Sequence, residues 1–344
     1  MKINKLLTCL LFISSFGQLF SQSSDFETIL TRGISDYETG RYENALSWFT
    51  QAFKLKRESN KACYYLSLAH LALENNEEAA TYSAKVIKRG GKYSEDAYLV
   101  NATVWANLGR NKKARRIYNQ ALKKYPTNYL IYYNLAFSLH NDKNFEKAQE
   151  YATMSIELHP AHASSHLLLA YIMYAQGERV QSMLPLYYFL LLEPESDRSK
   201  AAYELLTNLW NQGIRQKGQR DIQLVAAGFH YDDFAQTELS ISLIKAAKNI
   251  QNERNEAPTS RNNLLVEFAQ NNNAFFTILE EASDNKDGFW WDFYVNFFSK
   301  LKKNNLNEPF SYYISASRYN DDVLLWMSAN MAQFKRFTSW MENQ

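Results

Sequence analysis

Residues 129–160 read YLIYYNLAFSLHNDKNFEKAQEYATMSIELHP. Two apolar stripes flank a polar break. Tyr132, Leu135, Ala136 and Leu139 recur at i, i+3, i+4 and i+7, the spacing of one helix face. Asn141-Asp142-Lys143-Asn144 interrupts the pattern, and Phe145, Ala148, Tyr151, Ala152, Ile156 and Leu158 resume it. His159-Pro160 closes the second stripe, because a proline ring disfavours helical backbone in the residue before it. The stretch predicts a helix–turn–helix unit.

That unit recurs on both sides. Ala45, Ala79, Ala114, Ala148 and Ser182 stand at steps of 34, 35, 34 and 34 residues. Pro126, Pro160 and Pro194 keep the same interval, and Gly109 and Gly177 lie two periods apart. A fixed period of this length marks a fold made by stacking one supersecondary unit. The small residues have a steric cause: paired helices lie ~8–10 Å apart, and the closest crossing admits only Gly, Ala or Ser. Pro185 departs from the pattern, and a kink or break is expected there.

The pattern resembles the tetratricopeptide repeat family, over about residues 25–195. Gly33 takes the family's small position in the first helix of repeat one, Gly40 its turn glycine, and Tyr42, Ala45, Phe49 and Ala52 its second-helix positions. Repeat three matches through Tyr98, Ala102, Gly109, Ala114, Tyr118, Ala121 and Pro126, and repeat five through Leu169, Ala170, Gly177 and Pro194. Repeat two matches through Leu66, Ser67 and Ala79, but Ser83 stands where an aromatic is usual. The resemblance implies an all-α fold: a right-handed α-solenoid of about five repeats, followed by a helical C-terminal domain at 196–344.

It also implies that the first helices line a concave face. In this sequence that strip comprises Leu30, Ile34 and Tyr37; Tyr64, Leu68 and Leu71; Leu99, Thr103 and Asn107; Tyr133, Phe137 and His140; and Leu167, Tyr171 and Tyr174. Tyr37, Tyr64, Leu68, Asn107, Tyr133, Phe137, His140, Tyr171 and Tyr174 are the candidate partner-binding residues. Tyrosine offers large contact area and a hydrogen-bonding tip at little entropic cost. The competing account is that several of them pack on the next repeat or on the C-terminal half. Some family members clamp a peptide's carboxylates with lysines and asparagines on this face. Here Lys61 is nearly the only cation in the strip, which speaks against that mode.

The 344 residues are 46% hydrophobic and 22% charged, a globular balance. Lys2 and Lys5 precede the apolar run Leu6–Ile13, the pattern of a secretory signal peptide. The run is shorter than the ~20 apolar residues of a membrane span. Ser15-Phe16-Gly17 and Leu19-Phe20-Ser21 are both candidate cleavage sites, and cleavage after Ser21 leaves the better signal length. The mature chain is expected to be exported, periplasmic or secreted, without a transmembrane span. Loss of Lys2 and Lys5 takes the formal charge from +2 to 0, which argues against a nucleic-acid partner. Cys9 leaves with the leader; the apolar run before it is only two residues long, too short for a lipid-attachment signal. Cys63 then has no disulfide partner within the chain.

Beyond Glu195 the period is lost. Ala201–Gln212 reads as an amphipathic helix that caps the array. Gln216–Arg220 reads as a loop, and Ile222–Val225 as a strand or helix start. Asp232-Asp233 are placed to cap a helix reaching about Asn252, and a polar loop containing Pro258 follows. Helices are expected at Asn262–Ala282, Phe289–Lys302 and Asp321–Met341, the last with an apolar face of Leu324, Met327, Met331, Phe334 and Met341. Residues 289–298, FWWDFYVNFF, are apolar nearly all round, so this helix is expected to be buried in a core or against a partner.

Catalytic and metal signatures are weak. His162 and His166 share a helix face, but no H-E-x-x-H pattern supplies a third ligand. Gly90-Gly91-Lys92 lacks phosphate-loop spacing and reads as a helix terminus. Cys63 falls at an interior position. No catalytic residue, metal or cofactor is assigned. The expected function is a non-enzymatic scaffold that binds a protein or peptide in the cell envelope, homo-oligomerisation being open. The alternative is an enzymatic or small-ligand C-terminal domain, with the repeats as a docking arm.

Overall fold

The computed structural model describes residues 25–212, 214–216, 222–224, 233–254 and 261–343. The expected leader (residues 1–21), residues 217–220, Asp232 and the segment around Pro258 lie outside the described residues. The chain divides into two compact units, Met1–Ser138 and Leu139–Gln344. The expected boundary at 195/196 falls inside the second.

In the first unit, α1 (25–38), α2 (Tyr42–Leu55), α3 (Asn60–Ala72), α4 (Asn76–Arg89), α5 (Ser94–Asn107) and α6 (Asn111–Leu122) follow one another, and α7 (Tyr129–Asn141) begins. From α2 to α6 each helix packs on the next, and α3 also touches α5. The alanines of the ladder sit at the crossings: Ala45, Ala79 and Ala114 are fully buried. Gly33 shows the steric cause, since a Cβ there would lie 2.5 Å from Cε1 of Phe49. Repeat two solves its missing aromatic differently. Asn101 reaches in from α5 and donates to the Ser83 hydroxyl and the Ala80 carbonyl, both at 2.9 Å.

The turns inside the repeats share one geometry. Gly40, Glu74, Gly109, Lys143 and Gly177 all have φ between 59° and 85° and stand 34, 35, 34 and 34 residues apart. At each, that residue's N–H bonds the carbonyl three back, and the next N–H bonds the carbonyl five back. Gly109 to Ala106 (2.8 Å) and Arg110 to Trp105 (2.8 Å) are one pair; Lys143 to His140 and Asn144 to Leu139 (both 2.9 Å) are another. This is the Schellman ending, which satisfies carbonyls left open by the last helical turn. Sequence reading saw the glycines of this ladder but not Glu74 and Lys143.

The second unit continues with α8 (Phe145–Leu158), α9 (Ala163–Gln176), α10 (Arg179–Leu192) and α11 (Asp197–Asn211). Ala148 and Ser182 carry on the buried small-residue ladder. A short antiparallel pair follows, β1 (Ile214–Gln216) and β2 (Ile222–Leu224), with Ile214 opposite Leu224. Gln216 is thus in a strand, not the expected loop, and the otherwise all-α fold holds this one hairpin among the described residues. Next come α12 (Ala235–Arg254), α13 (Arg261–Glu281), a π-helical segment (Trp290–Val295) running into α14 (Asn296–Lys303), α15 (Asn307–Tyr313), α16 (Ala316–Ala329) and α17 (Met331–Met341).

Three expectations are corrected. α10 continues through Pro185 without a break, because α9, α11, α12 and the π-helical segment all pack on it and outweigh one lost hydrogen bond. The expected helix Asp321–Met341 is two: Asn330, at φ −120° and ψ 34°, divides α16 from α17, and Tyr319 kinks α16 before the acids expected to start it. Leu324 and Met331 are exposed rather than part of a buried face; Val323 and Phe337 are the buried residues.

The aromatic-rich segment forms a core. Tyr187 of α10 lies 5.4 to 6.1 Å from the rings of Phe275, Phe276, Phe298 and Phe310, and Phe276 stacks on Phe298 at 4.6 Å. Each such ring removes large apolar area from water, at about 25 cal/mol per Å². Polar groups thread this core. Trp210 Nε1 donates to the Tyr187 hydroxyl (2.8 Å), which donates to Asn272 Oδ1 (2.6 Å), while Asn272 Nδ2 donates to Ser311 Oγ (2.9 Å). Among the described residues no helix is long and apolar enough to cross a membrane.

Candidate functional site

The first unit gathers tyrosines at the junction of α1, α3 and α5. Gly90 and Gly91 end α4 at positive φ, and Tyr93, also left-handed at φ 72°, opens α5. This turn brings the Tyr93 ring onto α3, where it stacks on Tyr64 at 5.3 Å and lies 6.3 Å from Tyr65. Tyr64 and Tyr65 meet edge to face at 5.2 Å, and Tyr65 stacks on Phe49. Tyr37 packs on Tyr42 at 5.2 Å. All four tyrosines around the junction (37, 64, 65 and 93) remain half-buried.

Electrostatics tie the cluster together. Burial pushes the Tyr64 phenol well up, and the charges of Asp96, Tyr65, Tyr37 and Tyr93 add to it. Burial likewise raises Tyr37 and Tyr65. The Asp96 carboxyl is also raised, by burial first and then by Glu95. Lys61 is held by Glu27, its Nζ donating to Oε2 at 2.7 Å. The single lysine of the strip is therefore already paired.

The other candidates are dispersed. In the first unit Leu68 is half-buried and Asn107 exposed, while Tyr133 and Phe137 stack at 6.5 Å with Phe137 48% exposed. In the second unit His140 is half-buried against Phe145, Tyr171 is half-buried and Tyr174 is 48% exposed. Burial lowers the His140 pKa, and its Nδ1 has no hydrogen-bond partner among the described residues. Leu30 and Leu167 are corrected: both are buried, Leu30 in a cluster with Phe26 and Phe49, so neither belongs to a surface strip.

The chemistry-bearing side chains are occupied by structure. His166 Nε2–H donates to the Pro160 carbonyl at 2.8 Å, so Nδ1 accepts from the Tyr294 hydroxyl at 2.7 Å. Both imidazole nitrogens are used, and burial takes its pKa down to about 3. His162 Nδ1 engages Ser165. Cys63 is buried, its thiol pushed up by burial despite Arg89 at 3.5 Å. Gly90 is the C-cap of α4, its N–H bonded to Val86.

Two cavities open in the second unit. One, about 290 Å³, has Tyr203, Trp210 and Phe268 among its walls, and its acids are paired: Glu267 with Lys245 at 3.6 Å and Glu204 with Arg318 at 3.9 Å. The other, about 510 Å³, is lined by carboxamides including Gln270, Asn273, Asn305, Asn307 and Gln333. A buried arginine escaped sequence reading. Arg179 donates to the Leu209 and Trp210 carbonyls and to Ser242, so it closes the C-terminus of α11. Burial lowers its pKa to about 10. Its partners are 30 to 63 residues away, beyond any local signal.

Sequence profiles of the tetratricopeptide repeat match residues 30–95, 97–128 and 117–150. No curated protein sequence matches the chain. The chain is similar to the solved structure of TTC0263, a thermophilic tetratricopeptide repeat protein of Thermus thermophilus, at 17% identity over 54% of this chain and 98% of that one, with a TM-score of 0.46. It is similar also to YrrB, described as a repeat protein with an unusual peptide-binding site (17% identity, 52% and 90% covered, TM-score 0.40). A third is MamA of Desulfovibrio magneticus (18% identity, 50% and 97% covered, TM-score 0.43).

Proposed function

We propose that this chain, which carries tetratricopeptide repeats over residues 30–150, is an exported, non-enzymatic scaffold that holds a protein or peptide against the first helices of its repeats. The observation that carries the reading is the aromatic surface of those helices. Tyr37, Tyr64, Tyr133, Phe137, Tyr171 and Tyr174 all lie on first helices and all retain exposed area, although the chain has an aromatic core elsewhere in which to bury such rings. Rings left at a surface in this way are the kind that anchor a partner. Export rests on the basic residues and short apolar run of the leader.

The test is crosslinking in cells followed by mass spectrometry, comparing the native chain with a Tyr133→Ala/Phe137→Ala variant. Phe137 is exposed and Tyr133 half-buried, so their loss should leave helical circular dichroism intact while the crosslinked partner diminishes. An unchanged crosslinking pattern refutes the role of the first-helix face. Mass analysis of the mature chain should give Gln22 as its first residue; retention of residues 1–21 refutes export by this signal.

A further inference from the structure

We propose that the basic face of α6 docks the first unit onto an anionic lipid surface, with Leu108 and Trp105 entering the interface at its edge. This goes beyond the first-helix surface, because α6 is the second helix of its repeat.

The charge of the chain is unevenly divided. Residues 25–138 hold 17 Lys and Arg against 11 Asp and Glu, and residues 139–344 hold 19 against 25. The surplus of the first unit is concentrated in one place. Seven cations lie from Arg110 to Lys124, and no acid occurs between Asp96 and Asp142. Arg115 donates to Ser138 Oγ at 3.0 Å. The other six are exposed, and among the described residues none of them pairs with a carboxylate. Lys112, Arg116 and Lys123 stand at i, i+4 and i+11 in one row about 16 Å long, with Lys113 and Lys124 in the next.

This arrangement works against the helix that carries it. The first turns of α2, α4 and α8 hold Glu43, Glu77 with Glu78, and Glu146, where the positive end of the helix dipole favours acids. The first turn of α6 has no acid and holds Lys112 and Lys113 instead. Lys112 and Arg116 also repel each other across one turn. A repeat that departs from its sisters against its own stability points to a role outside the fold.

The occupant follows from sign and shape. Protein surfaces intersperse both signs of charge, whereas a row of cations with no acid among them matches a sheet of like charge, such as a layer of anionic headgroups. The apolar residues agree. Leu108, in the turn before α6, is 43% exposed beside Gly109. Trp105 lies one turn earlier and is half-buried, with Lys113 Nζ 3.1 Å and Arg110 Cζ 5.3 Å from its ring centre. Free phosphate or nucleic acid offers an exposed leucine nothing to enter; the acyl boundary beneath a headgroup layer does.

The experiment sediments the mature chain with vesicles of phosphatidylcholine, or of phosphatidylcholine mixed with phosphatidylglycerol, at low and at high salt. Binding should require phosphatidylglycerol and fall with salt. Each cation near the surface contributes about fivefold, so Lys112→Gln/Arg116→Gln/Lys123→Gln should lower binding about 100-fold, with a thermal midpoint level with the parent or higher. Should that midpoint fall instead, Lys123→Gln alone, past the end of α6, gives the fivefold step. Leu108→Ser should weaken vesicle binding and leave its salt dependence unchanged. Displacement of the vesicles by inorganic phosphate, or tighter binding to polyglutamate or duplex DNA than to the charged vesicles, assigns the face to a soluble anion, an acidic protein or a nucleic acid and overturns the lipid inference. Equal binding to both vesicles, binding to neither, or variants that bind like the parent overturn it as well. The first-helix reading has its own test in the Tyr133→Ala/Phe137→Ala variant, which should bind vesicles unchanged.

Discussion

Glu74 and Lys143 occupy the left-handed turn position that Gly40, Gly109 and Gly177 fill elsewhere, with the same pair of backbone hydrogen bonds. An L-residue in this conformation carries about 1–2 kcal/mol of strain between Cβ and the carbonyl. Glycine removes the strain but brings extra freedom to the unfolded chain, worth roughly 0.5–1 kcal/mol. The difference predicts that Glu74→Gly and Lys143→Gly each stabilise by about 0.5–1 kcal/mol. The converse change, Gly109→Ala, should cost about 1 kcal/mol, and the cost is purely conformational because its Cβ would meet nothing within 4 Å. Gly33→Ala separates conformation from contact. There the Cβ meets the Phe49 ring at 2.5 Å, so the loss should be about 1–3 kcal/mol despite alanine's better helix propensity. Urea denaturation followed by far-ultraviolet circular dichroism measures all four. Glu74→Ala is the control, since it keeps Cβ and should match the parent. If Glu74→Gly and Lys143→Gly lower the urea midpoint as much as Gly109→Ala does, the turns do not share one geometry and the reasoning fails.

Two further predictions concern the second unit. His166 has a folded pKa of about 3 against about 6.5 in the unfolded chain, so below pH 6.5 the unfolded chain takes up a proton that the folded one refuses. Stability should fall as pH drops from 6.5 towards 3, by about 3 kcal/mol at pH 4 from this group; urea midpoints of His166→Gln should show a visibly flatter acid limb, and an equally steep one excludes His166 as the cause. Tyr187→Phe removes the hydroxyl between Trp210 and Asn272 and strands both inside the core, at a cost of about 2 kcal/mol or more; a midpoint unchanged from the parent shows that the network contributes nothing.

The repeat architecture was legible because close helix crossings impose a steric rule at every period, and Ala45, Ala79, Ala114, Ala148 and Ser182 obey it in order. The turns were half legible. Strain of the size borne by Glu74 and Lys143 is small enough to tolerate, so the residue type leaves no trace of the geometry. Repeat two hid its substitute for the missing aromatic because Asn101 arrives from the next helix. In the second half the deciding contacts are long-range: His166 and Tyr294 are 128 residues apart, and Tyr187 and Asn272 are 85 apart. Local pattern gave most of the helices there but not which faces meet, and it merged α16 with α17 because Asn330 is an ordinary polar residue in an apolar pattern. Of the candidate site, helical phase placed the tyrosines on first helices. The meeting of Tyr93 with Tyr64 depends on a left-handed residue in a linker, which no periodicity announces.

Tyr187 also bears on how such a protein can change length. A stack of repeats lengthens when a duplicated unit slides in behind the last one, provided that unit finds an apolar surface like the one it left. Behind α10 there is none: Tyr187 already spends its ring on four phenylalanines and its hydroxyl on Trp210 and Asn272. A repeat duplicated after Leu192 would have to displace that whole assembly. One duplicated between earlier repeats would meet buried small residues like those it left. The register of the last repeat is thus locked, and variation in repeat number is confined to the interior of the array.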